Sequence, residues 1–176
     1  MKNKATRRIG LLSASVGMSL AFSIGVSSAS HTPKFEDLES LGESQGVEER
    51  SSSLVAEANQ AGRNTEGNLL SITWSIKNEG NERVVLTWLA GRSYLYTGGN
   101  YAGVTVVDSE GASRYHPIMD NLGSCLCSGS SSSTFKKRIE PGEQVTYWSV
   151  YSVPGDVENV TLEIPGFEPI ENIPIS

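Results

Sequence analysis

Cys125-Leu126-Cys127 sets the only two thiols of the chain one residue apart, inside a glycine- and serine-rich stretch that runs from Gly123 to Ser133. Three chemistries fit that spacing. In an exported chain, where thiols tend to oxidise, the pair forms a disulfide within its loop, closing a ring so short that it restricts the unfolded chain little. In the reduced state the two sulfurs, with Met119 and His116, would offer the thiolate and thioether ligands that suit Cu(I), although His116 precedes a proline and has no second histidine near it. A dithiol that exchanges disulfides is the third reading, and it lacks the helix N-terminus that lowers a thiol pKa in such enzymes. The disulfide is the working expectation, with no metal assigned; the Cu(I)-binding and thiol-redox readings stay open as its rivals.

A second candidate is the run from Gly91 to Gly103, GRSYLYTGGNYAG, which places Tyr94, Tyr96 and Tyr101 among glycines and Asn100. Rigid aromatic rings on an adaptable loop make a recognition surface for proteins or glycans. The alternative is that two of these tyrosines close an open end of the fold. Catalysis finds little support. The histidines are His31 and His116, and neither a Gly-x-Ser-x-Gly elbow nor a His-Glu-x-x-His helix occurs. Ser130–Ser133 reads as a flexible loop and not as a nucleophile. No cofactor is expected.

The elements that must position these residues follow an export signal over 1–30. Lys2, Lys4, Arg7 and Arg8 precede an apolar run from Ile9 to Val26, and small residues follow at Ser27-Ser28-Ala29-Ser30. The general secretory and twin-arginine routes both remain open. The serines and glycines inside the run argue against a retained span, so no stable membrane insertion is expected once the signal is removed. The whole chain carries 14 basic and 20 acidic residues; without the four basic residues of the signal the balance is 10 against 20, or −10. Such a surface repels phosphate backbones and anionic headgroups, which excludes nucleic acid as an expected partner.

Residues 31–50, rich in Glu, Ser and Gly, read as a flexible acidic leader, and 51–176 as one domain. Within 51–61, Leu54, Val55, Ala56 and Ala58 suit a first strand better than a short helix. From residue 68 the punctuation is regular. Leu70, Ile72, Trp74 and Ile76 alternate with Ser71, Thr73, Ser75 and Lys77, the period of a strand with one face buried. Strands are predicted near 68–78, 83–89, 103–108, 113–118, 134–139, 144–153 and 158–164, separated by turns at 78–82, 109–112, 140–143 and 154–159. Seven or eight short strands without a helical period describe an all-β antiparallel sandwich. Its expected core holds Ile72, Trp74, Leu86, Trp88, Val106, Trp148, Val150 and Leu162.

The stretch Pro141-GEQVTYWSVYSV-Pro154, in which a proline-glycine turn feeds a long strand ending in an aromatic-x-x-Pro step, resembles the immunoglobulin-like domains of extracytoplasmic bacterial proteins. These include telokin-like secreted domains and related lipoprotein domains. The turn Lys77-Asn78-Glu79-Gly80-Asn81 matches the Asn-x-Gly turn of that group. The segment from Gly103 to Ser128 is similar to exported actinobacterial proteins with a Cys-x-Cys-Ser segment. The resemblance spans about residues 68–176 and implies an immunoglobulin-like sandwich with no assigned activity. The expectation is therefore an exported, non-catalytic binding or structural module at or outside the cell surface, meeting a protein or a cell-wall or other glycan partner.

Overall fold

The computed structural model describes residues 38–91, 96, 99–108, 110–129 and 135–176. The segment predicted as an export signal, Tyr94 and Ser130–Ser133 lie outside them. The described strands are β1 (Gly42–Gln45), β2 (Leu54–Arg63), β3 (Leu69–Asn78), β4 (Val84–Val85), β5 (Thr105–Asp108), β6 (Arg114–Tyr115), β7 (Arg138–Ile139), β8 (Gln144–Ser152), β9 (Asn159–Glu163) and β10 (Ile170–Pro174). One four-stranded sheet has the order β1-β2-β3-β8, a second has the order β10-β9-β5-β6, and β4 pairs with β7. All these pairings are antiparallel. Both four-stranded sheets contribute to one apolar cluster, including Ile72, Trp74 and Ile76 from β3 and Val106, Val160 and Leu162 from β5 and β9. The fold is all-β and antiparallel, layered as a sandwich, as the strand periods predict.

β3 follows its sequence alternation closely. Leu70, Ile72, Trp74 and Ile76 are all fully buried, while Ser71 is exposed. β8 runs in the opposite phase to the one expected. Tyr147, Ser149 and Tyr151 face the interior, and Trp148 is exposed. Two tyrosines can be core residues because their hydroxyls are satisfied there: Tyr147 donates to the Lys136 carbonyl at 3.0 Å and Tyr151 to the Val104 carbonyl at 3.1 Å. The Trp74 ring packs on Tyr147 with centroids 4.8 Å apart, closing the space that Trp148 was expected to fill.

Three further expectations change. The strand near 83–89 is only two residues long and turns into a 3-10 segment, Thr87–Ala90. Leu86 and Leu89, both fully buried, lie three residues apart, the spacing that a 3-10 turn stacks on one side. Trp88 is half-buried, stacked on Phe167 with the Arg50 guanidinium 4.8 Å above its ring. Lastly, the acidic leader does not extend to residue 50. β1 pairs with β2 from Gly42↔Ala58 to Gln45↔Val55, Leu41 packs on the core, and Gly46 bridges to Phe167. The sandwich therefore begins about ten residues earlier than the sequence suggests.

Candidate functional site

The cysteines lie on a hairpin that extends the sheet beyond β8. Its turn is built by Asp120, whose Oδ1 accepts the amides of Leu122 at 2.8 Å and Ser124 at 2.9 Å. Gly123 takes the left-handed conformation, φ 82°, that the tight return needs and that glycine adopts without a Cβ penalty. Backbone bonds from Leu126 to Ile118 (2.7 Å) and from Asp120 to Ser124 (2.9 Å) set Met119 directly opposite Cys125. The returning strand then docks on β8. Cys127 faces Ser149, Val150 donates to Leu126 at 2.9 Å, and Ser128 both donates to the Trp148 carbonyl and accepts the Trp148 amide on its Oγ. On an extended segment residues i and i+2 share a side. Cys125 and Cys127 accordingly sit together, Cα atoms 5.3 Å apart and sulfurs in contact, with Cys127 buried.

The same alternation turns Leu126 outward. Leu126 is 43 % exposed, Trp148 40 %, Met119 42 % and Leu122, at the tip, 75 %. Four of the six large apolar side chains exposed among the described residues lie on this hairpin and the strand beside it, Leu126 and Trp148 on the outward face and Met119 on the face of Cys125. Beyond Trp148 the outward face becomes polar: Thr73 lies across from Trp148, and Gln60 across from Thr73. Farther along, Gln144 donates to Ser75 Oγ at 2.9 Å and to Glu57 at 3.3 Å. The result is an apolar platform at one end of a hydrogen-bonding face.

Of the three tyrosines, Tyr96 and Tyr101 lie among the described residues, and Tyr101 departs from the ligand-surface reading. Tyr101 is a core residue, 1 % exposed, with its ring edge-on to Tyr147 at 4.9 Å and its hydroxyl donating to the same Lys136 carbonyl at 3.0 Å. It is not part of a ligand surface. Burial pushes the Tyr101 and Tyr147 phenols far up, so both remain protonated donors. Tyr96 donates to the Pro117 carbonyl at 2.6 Å, and partial burial raises its phenol as well. Of the groups considered for copper, Met119 faces Cys125 while His116 is exposed and lines a cleft with Arg114 and Glu163. Among the described residues no three His, Cys, Asp or Glu side chains converge as a metal-binding group. Trp148 and Leu126 were missed as surface residues. No signal within the strand marked the opposite phase, since Tyr147 and Tyr151 are held inside by carbonyls of other segments.

An all-β antiparallel chain with a paired-cysteine hairpin and an exposed apolar platform is the class that fold and surface define. No protein-family model and no curated protein matches its sequence. Solved structures similar to this chain include two of unknown function. One is a conserved hypothetical protein from Bacillus anthracis, 15 % identical, with 74 % of this chain and 95 % of that chain covered and a TM-score of 0.41. The other is a functionally unknown protein from Listeria monocytogenes EGD-e, 12 % identical, with 78 % and 85 % covered and a TM-score of 0.41.

Proposed function

We propose that the chain is an exported, non-catalytic binding module with an immunoglobulin-like sandwich, acting at or outside the cell surface on a protein or glycan partner. The carrying observation is the pairing of Leu126 and Trp148 on the outward face where the hairpin docks on β8, with Leu122 exposed at the hairpin tip. Solvent-facing apolar side chains collected in one place, with an aromatic anchor and a polar surround, are the composition of an interface. Backbone bonds from Val150 to Leu126 and from Ser128 to Trp148 hold the backbone under Leu126 against β8, so the platform is presented without a large ordering cost. Purified protein is expected to sediment with cell-envelope material of the producing organism. The double variant Leu126→Ser, Trp148→Ser should lose that retention while keeping its melting temperature within a few degrees, because both side chains face solvent. Equal retention of the variant would rule the platform out.

Met119 opposite Cys125 favours one second reading, an extracytoplasmic Cu(I)-binding or thiol-redox protein centred on Cys125 and Cys127. A thiol assay on protein secreted into aerobic medium, with and without added Cu(I), separates the two. The binding module predicts no reactive thiol and no retained copper. Two reactive thiols that disappear on addition of one Cu(I) would establish the rival.

A further inference from the structure

A cleft of about 570 Å3 opens against the outward face of β5, β6 and β9. That volume falls within the roughly 300–1,000 Å3 of small-molecule sites. The pairings Thr105↔Glu163 and Val107↔Arg114, with Val106 and Leu162 buried on the opposite side, put Thr105, Arg114 and Glu163 together on this face. Arg114 grips Glu163 through both terminal nitrogens, Nη2 to Oε1 at 3.0 Å and Nη1 to Oε2, and Nη1 also donates to Thr105 Oγ1 at 2.9 Å. His116 lines the cleft beside them, and Phe167 and Pro169 supply an apolar wall. Neither Leu126 nor Trp148 lines it, so this site and the platform stand or fall separately.

The polar floor selects by chemistry. Arg114 and Glu163 cancel in charge, so a free anion meets the carboxylate and a free cation meets the guanidinium, and neither gains a net field. Anions are opposed further by Asp108, Glu110 and Glu171, which line the adjoining depression that shares Glu163 and Pro169. A neutral polyol suits the pair better. One hydroxyl donates to a free lone pair of the carboxylate while its neighbour accepts from the guanidinium edge, two charge-assisted hydrogen bonds without a buried net charge. The C–H face of a sugar ring supplies apolar surface for Phe167 and Pro169. We infer that this cleft is a binding site for a neutral saccharide, either a free sugar or one residue of a glycan chain.

The test is an amide-resolved NMR titration of the folded protein with methyl β-glucoside, N-acetylglucosamine and its trimer, alongside glucuronate and glucosamine as charged analogues. Saturable shifts of the Gly103, Gly166 and Phe167 amides are expected with at least one neutral sugar. Tighter binding of the trimer than of the single sugar would assign a glycan chain, and equal binding a free sugar; both support the site. Glu163→Gln and Arg114→Met should each weaken binding about tenfold, the loss of roughly one hydrogen bond to a charged group, and the same spectra report whether each variant is folded. The inference is overturned by no shift with any neutral sugar at tens of millimolar, by tighter binding of glucuronate or glucosamine, or by unchanged binding in both folded variants.

Discussion

Replacing Trp74 by alanine is expected to lower the stability of the domain by ~3–5 kcal/mol, a large part of the ~5–15 kcal/mol that holds a domain of this size. Trp74 is fully buried at the centre of β3, with Tyr147 and Tyr101 at ring distances of 4.8 and 6.1 Å. Its indole N–H reaches Ser149 Oγ at 3.5 Å. Removing the ring opens a cavity between two sheets whose backbones are fixed by their own ladders, so the site cannot collapse to fill it. The same change at Tyr96 removes a half-buried ring and one hydrogen bond to the Pro117 carbonyl, a loss of about 1 kcal/mol for the bond. Denaturant titrations followed by the fluorescence of Trp88 and Trp148 should show a much lower midpoint for Trp74→Ala than for Tyr96→Ala. Equal midpoints would mean that the aromatic cluster does not carry the core.

The contrast between β3 and β8 explains how far the sequence could be read. β3 has one apolar face and one polar face, so its register follows from composition alone. β8 carries Tyr147 and Tyr151 on one side and Trp148 and Val150 on the other, and polarity ranks the wrong pair as buried. Only the Lys136 and Val104 carbonyls, which receive the two hydroxyls, decide the phase, and they belong to other segments. β1, Gly42-Glu43-Ser44-Gln45, has no apolar side chain at all and is a strand by backbone pairing. In β10 the register shifts between Ile170 and Ile173, with Asn172 at φ 58°, so its two buried isoleucines fall three apart and show no strand period. The cleft was illegible for a similar reason. Arg114 and Glu163 are 49 residues apart, and only the pairing of β5 with both β6 and β9 brings them together. The cysteine pair was legible as a pair, but its partner strand was not.

Gly46→Ala is the sharpest test of where the domain begins. If residues up to 50 were a loose leader, a methyl group there would be silent. In the structure a β-carbon on Gly46 would overlap the Ser51 carbonyl group and lie 2.7 Å from Ser51 Cβ. That carbonyl accepts the Leu54 amide at 2.8 Å, which starts β2, and Ser51 Oγ donates to the Gly166 carbonyl at 2.6 Å. Ser51 is fully buried, so it has no free space to yield into. Moving it strains the start of β2 and the link from the β1–β2 turn to the β9–β10 connection, where Val47 also donates to Gly166 at 2.8 Å. Overpacking of this kind costs about 1–3 kcal/mol, and more where backbone must shift. Val47→Ser, one residue on, is the control: Val47 is 56 % exposed, and its change should stay within about 0.5 kcal/mol. A fall in melting temperature of many degrees for Gly46→Ala, set against almost none for Val47→Ser, would make this turn part of the sandwich. Two silent variants would return residues up to 50 to the leader.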